Sequence, residues 1–263
     1  MKISLKDELK KLLSIIKELD KKVVIIFIAV GILQTVSWYY ASRRFFRTNF
    51  YHSLFAGEPN VQLYEYLFWF ITDFFVLFIV PVLIIIFIHK ERPKEYGLKF
   101  GDAKIGFFIT VIFLIVMGII VWFVSSMPSF AVKYPHLQTA RGDWTILLIY
   151  ETGMLIYMFA WEFIWRGYML FGLEEKFGYY AVLIQMLPFV ILHNGKPDIE
   201  TFSAIIAGIA LGILALRTRS FLYGVFVHFG VMLSIDFISS LRFRVQDYGV
   251  GLDSLVKVIS GLF

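Results

Sequence analysis

The chain contains no cysteine, which excludes disulfides and thiolate chemistry, whether as nucleophile or as metal ligand. That absence leaves the redox compartment open. Histidine is scarce, with 5 in 263 residues, and no two fall in the H-E-x-x-H spacing of a helical zinc site. Charged residues make up only 17%, against 59% hydrophobic and 19% aromatic. Such proportions lie outside the range of soluble domains. The net charge of +5 sits mostly in short segments between apolar runs, a distribution suited to anionic lipid and not to nucleic acid. No Pro/Gly/Ser-rich linker divides the chain, and no internal repeat can be aligned. The missing repeat counts against a small transporter.

What the chain does have is a series of apolar runs, each about 20 residues long and able to cross a bilayer as a helix. They lie near 22–41, 64–88, 105–126, 144–172, 179–193, 201–216 and 220–241. An amphipathic piece at 252–263 is either an eighth short span or an interfacial helix. The expected fold is therefore all-α, a polytopic transmembrane helical bundle of seven to eight helices. Residues 1–22 form a cytoplasmic amphipathic segment, 23–89 two N-terminal transmembrane helices, and 243–263 a C-terminal interfacial or short membrane segment.

In the N-terminal segment, Leu5, Leu9, Leu12, Leu13, Ile16 and Leu19 recur at helical spacing. The segment is too long and too acidic for the basic region of a signal peptide. It either lies on the membrane surface or is a solvated basic flank. An N-terminus in the cytoplasm puts more Lys and Arg inside than outside, although Arg43, Arg44 and Arg47 fall on the other side. An integral membrane protein of the plasma membrane, N-terminus cytoplasmic, is the reading that follows.

Ionisable residues inside the spans are the informative ones, because each costs roughly 2.5–3.5 kcal/mol to insert. The stretch "AWEFIWRGYM" carries Glu162 and Arg166 four residues apart. With a helical rise of about 1.5 Å per residue, Glu162, His193 and His228 fall in one layer of the membrane, and Glu200 caps it from above. A carboxylate facing two histidines can activate water while an imidazole donates to the oxyanion or the leaving amine. It can equally offer zinc two imidazoles and a carboxylate. Spacing alone does not choose between them. Plainer readings stand beside these. Glu162 and Arg166 could be a structural ion pair, and His193 could end a span at the headgroups. Glu151 shares the face of Glu162 and either serves a polar cavity or sits at the outer interface, the favoured reading. Asp73 has no evident partner, and Glu174 and Glu175 read as solvated charge in a short cytoplasmic turn.

In order and spacing these motifs resemble the CAAX prenyl protease 2 and bacteriocin-processing (CPBP, or Abi) family of intramembrane peptidases. "WEFIWRG" corresponds to its E-E-x-x-x-R motif and "FVILH", with Phe189 and His193, to F-x-x-x-H. "HFGVM" supplies the third motif's histidine, His228. "AGIALGILALRTRSFLYGVFVH" resembles the Gly-rich helix, turn and returning helix that join the last two motifs. "KERPKEYGLKFGD" is similar to the segment before the core. The resemblance covers about 90–242, a CPBP-like peptidase core. It implies an eight-helix fold whose site opens toward the cytoplasmic half, where a glutamate-activated water cleaves a peptide bond with help from histidines.

Two positions depart from the pattern. Trp161 stands where the family's first glutamate is usually given the base role, and Met232 where it has Asn or Asp. "HNGKPDIE" offers Glu200 as compensation, and Asp236 lies two turns beyond His228, about 80° round the helix. The expected catalytic residues are Glu162, Arg166, His193, Glu200 and His228, with Arg166 orienting a carboxylate. Glu200 is expected to face His193 and share the base role; otherwise the protein does not cleave peptides. No tightly bound metal is expected, with zinc as the alternative. Membrane lipid and a peptide or prenylated, membrane-associated protein are the expected partners. A catalytically inactive family member, acting as a membrane scaffold or binding protein, is the second reading.

Overall fold

The computed structural model describes residues 4–262, and every regular element among them is a helix. Helix α1 (Leu5–Glu18) keeps all its residues outside the core. Helix α2 (Lys21–Tyr40) starts where the Asp20 carboxylate accepts from the Lys22 and Val23 amides, satisfying donors that a helix start leaves free. A short helix α3 (Arg43–Asn49) follows, with Ser42 accepting from the Phe45 amide. Helix α4 runs over Val61–His89. Pro81 sits inside it, and wider turns at Phe75–Ile79 and Ile84–His89 flank the position where a backbone donor is missing.

The remaining elements carry the site. Helix α5 (Ala103–Val124) is capped by Asp102, and α6 (Pro128–Lys133) opens the following loop. Helix α7 (Trp144–Phe177) is capped by Asp143, which accepts from the Thr145 amide at 2.7 Å and the Ile146 amide at 3.1 Å. Then come α8 (Tyr180–Ile191), α9 (Asp198–Thr218), α10 (Leu222–Val245) and α11 (Leu252–Ser260).

Six helices among the described residues are long and apolar enough to cross a membrane: α2, α4, α5, α7, α9 and α10. The expected span at 179–193 is shorter than a crossing needs. Its helix α8 has 12 residues, about 18 Å of rise, and the chain turns over Leu192–Lys196. It packs against α9 as a seventh member of the bundle. The 9-residue α11 is too short to span, and it packs on α10, where Arg242 holds the connecting segment through the Asp247 and Gly249 carbonyls.

Helix α7 is the centre. It packs on α4 on one side and α10 on the other, and α5 lies outside α10. Most of α7 is buried inside the protein, whereas α2 and α5 turn most of their surface outward. Their exposed side chains, such as Phe108, Ile115 and Ile119, are those of helices that face lipid. Arg43 and Arg47, which weigh against the cytoplasmic placement of the N-terminus, both bind the buried Glu65 carboxylate. Their charge is thus partly spent within the protein.

Candidate active site

Glu162 lies where the regular turns of α7 give way to a widened stretch over Phe163–Met169. It and Arg166 are both fully buried. Arg166 Nη1 donates to Glu162 Oε1 at 2.9 Å, and its guanidinium lies over the Phe189 ring, 4.0 Å from the centroid. His228 Nδ1 approaches the same Oε1 at 2.8 Å. One carboxylate oxygen therefore takes both partners. The other, Oε2, has no hydrogen-bond partner among the described residues and abuts Gly224 on α10.

Gly224 is there because nothing larger fits. A Cβ at that position would run into Glu162 Oε2, and the carboxylate is fixed from the other side by Arg166 and His228. We expect Gly224→Ala to lower stability by about 1–3 kcal/mol, as overpacking does. Unfolding in detergent, followed by circular dichroism, measures it.

The tautomers follow from the partners. A carboxylate only accepts, so neutral His228 carries its proton on Nδ1 and leaves Nε2 bare. His193 does the same: its Nδ1 is 2.7 Å from the Phe189 carbonyl, which can only accept. The Thr201 hydroxyl donates to the His193 carbonyl at 3.0 Å and fixes the turn after α8. The two imidazoles are nearly parallel, 22° apart, with centroids separated by 6.3 Å. Both line a cavity of about 200 Å³.

Glu200, in the first turn of α9, lines the same cavity. Its carboxylate is not free. Lys196 Nζ donates to Oε1 at 2.5 Å, and the Tyr134 hydroxyl donates to Oε2. Burial, and then the Glu200 charge, push the Tyr134 phenol well above its ordinary pKa, so it remains a donor. Tyr134 comes from the loop after α6, a position that no periodic pattern marks.

The residues expected to share one cavity are therefore divided. His193, His228 and Glu200 stand on its wall, and Glu162 stands behind His228 with Arg166. Trp161 packs against Phe189, Trp165 and His193. Met232 is a cavity residue. Among the described residues no group of three or more His, Asp or Glu is arranged to hold a metal ion.

Three other expectations are corrected. Glu151 is 4% exposed, buried inside the protein toward Asp236 of α10 and not on an open surface. Asp73 does have a partner, the Trp69 indole N–H at 2.7 Å, one turn earlier in α4. Glu174 belongs to the last turns of α7 rather than to a loop, and it accepts from Arg219 Nη1 at 2.7 Å.

The family comparison coincides with this site. Residues 143–234 match the Rce1-like family, type II CAAX prenyl endopeptidases. The match takes in Glu162, Arg166, His193, Glu200 and His228, and it leaves α1 to α6 and α11 outside. No curated protein and no solved structure is significantly similar to the chain. Residues 143–234 are thus similar to an Rce1-like domain, and they lie within a bundle of apolar helices, six of which among the described residues are long enough to cross a membrane, as in an integral membrane protein.

Proposed function

We propose that the protein is an intramembrane endopeptidase that hydrolyses peptide bonds of membrane-associated substrates, with His228 as the base and Glu162 as the group that orients it. The observation that carries this reading is the 2.8 Å contact between Glu162 Oε1 and His228 Nδ1, made from behind a histidine on the cavity wall. Holding the proton on Nδ1 leaves Nε2 free to take a proton from water as its oxygen adds to the scissile carbonyl carbon. The resulting imidazolium is stabilised by the Glu162 carboxylate. It then returns the proton to the leaving nitrogen as the C–N bond breaks. His193, held with its proton on Nδ1 by the Phe189 carbonyl, presents a bare Nε2 to the cavity as a second acceptor that positions the attacking water.

Apart from Tyr134 and Ser203, the rest of the wall is apolar. Phe113, Met117 and Ile120 from α5, Ala207 from α9 and Val231 from α10 suit an isoprenoid or the apolar part of a membrane-anchored peptide. The surplus of Lys and Arg in residues 1–22 and in the loops on the same side supports a cytoplasmic N-terminus, and a plasma-membrane location goes with it.

A second reading, a non-cleaving member that binds such a segment, is favoured by Trp161 and by the engagement of Glu200 with Lys196 and Tyr134. Incubating the purified protein in detergent with a library of prenylated and unprenylated peptides, and analysing products by mass spectrometry, separates the two. Binding without any cleaved product supports the second. With His228 as base, Glu200→Gln is expected to keep kcat within about tenfold of wild type, the scale of an interaction that assists rather than performs proton transfer. A larger loss in a folded variant moves the base role to Glu200.

A further inference from the structure

Helix α1 (Leu5–Glu18) takes no part in the core, and its sequence carries a pattern that the candidate active site does not use. At about 100° per residue, Leu5, Leu9, Leu12, Leu13, Ile16 and Leu19 fall within an arc of about 120°. Asp7, Ser14 and Glu18 lie on the opposite side of the helix. Lys6, Lys10 and Lys17 stand together on the flank beside Leu13, between the apolar arc and the acidic pole. On the other flank the Glu8 carboxylate is taken by Lys11 Nζ at 3.0 Å.

Among the described residues nothing covers the apolar arc. Its six side chains are exposed, from 49% at Leu13 to 85% at Leu5. Lys6, Lys10 and Lys17 take part in no ion pair among the described residues, whereas Lys11, Lys22, Lys196 and Lys257 do. Only Leu19 and Asp20 join α1 to α2, which is long and apolar enough to cross a membrane. Two residues reach at most about 7 Å, so the end of α1 stands where α2 enters the bilayer. Both linking residues are extended, with ψ 141° at Leu19 and 118° at Asp20, so α1 does not prolong the crossing helix. Lys22, in the first turn of α2, donates to Glu91 at 2.9 Å and ties that end to the polar segment after α4.

A solvated α1 would keep six leucine and isoleucine side chains in water beside a bilayer. Laid in the interface, the apolar arc enters the acyl boundary, the lysine stems run up its flank to the phosphates, and Asp7 and Glu18 stay in water. The lysine flank favours a lipid surface over a protein partner, because it brings the ammonium groups to headgroup depth, where anionic lipid sets a negative potential. We propose that α1 is an in-plane binding element for anionic phospholipid, held by its Leu/Ile arc and by Lys6, Lys10 and Lys17.

The chain has no cysteine, so single-cysteine variants of the full chain take an environment-sensitive fluorophore at one place only. Leu9→Cys and Ile16→Cys report on the apolar arc, Asp7→Cys and Ser14→Cys on the opposite side. Each is reconstituted in vesicles of phosphatidylcholine, with or without phosphatidylglycerol, and quenched by brominated acyl chains or by aqueous acrylamide. With phosphatidylglycerol present, brominated lipid should quench the first pair severalfold more strongly than the second, and acrylamide should show the reverse order. Leaving out phosphatidylglycerol, or introducing Lys6→Gln, Lys10→Gln and Lys17→Gln together, should weaken that contrast severalfold. No residue of α1 belongs to the core, so these changes leave the bundle folded. Equal access of acrylamide to all four positions makes α1 a solvated flank and overturns the proposal. Protection of Leu9 and Ile16 from both quenchers places a protein surface, such as a second copy of the chain, on the apolar arc and overturns it too. A contrast that is the same in both lipids and in the lysine variant overturns the recognition of anionic lipid.

Discussion

Glu162→Gln should lose nearly all peptide cleavage, by about ten-thousand-fold in kcat, while the protein remains folded. The magnitude is that seen when the carboxylate behind a catalytic histidine becomes an amide. The reason is electrostatic. In the structure Oε1 accepts from His228 Nδ1 and from Arg166 Nη1 at once. A glutamine with its carbonyl oxygen at that position keeps both bonds, and its NH2 takes the place of the unpartnered Oε2 beside Gly224. What it removes is the negative charge, so the imidazolium formed when His228 takes a proton from water is no longer stabilised. His228→Asn should lose as much, and the double variant little more than either single one, because residues that act as a unit are not additive. A folded Glu162→Gln variant that cleaves within tenfold of wild type would end the proposed role.

How much of this was legible in advance varies from residue to residue for physical reasons. The six crossing helices follow from apolar runs whose length the bilayer sets, and a run of that length tolerates errors of several residues at each end. Thus 64–88 proved to be Val61–His89, and 144–172 proved to extend to Phe177. Helix α8 was drawn too long because hydropathy continues through Leu192 while the backbone already turns toward Asn194 and Gly195. The meeting of Glu162 with His228 was within reach of depth arithmetic, since both lie well inside helices that turn out to pack together. Depth says nothing about rotation. It could not show that Glu162 stands behind His228 and not beside it, nor that Glu151 turns inward to Asp236. Asp73 was readable after all: Trp69 precedes it by four residues, one helical turn, and an indole N–H is a donor that needs an acceptor when buried. Tyr134 left no signal, because it reaches Glu200 from an irregular loop.

Arg166→Met should be the most destabilising single change in the site, costing about 3–5 kcal/mol, the range for removing one partner of a buried ion pair. Both side chains are fully inaccessible, so water cannot take over the lost bond. His228 still reaches Oε1, but one hydrogen bond from its Nδ1 does not replace the guanidinium charge. The carboxylate can then survive in three ways: by drawing a proton onto His228, by taking one itself, or by moving. The first two remove the bare Nε2 or the anion behind it, so cleavage should fall together with stability. The cost comes from the unpaired charge and not from lost packing, since methionine is close to arginine in length and can still lie over Phe189. Glu162→Gln/Arg166→Met should therefore recover most of the stability while remaining inactive. Unfolding midpoints and cleavage rates of the two single variants and the double form the cycle that checks it. A double variant no more stable than Arg166→Met alone would show that Arg166 acts through packing, not charge. Its place would then be that of a core residue rather than a partner that fixes the Glu162 carboxylate.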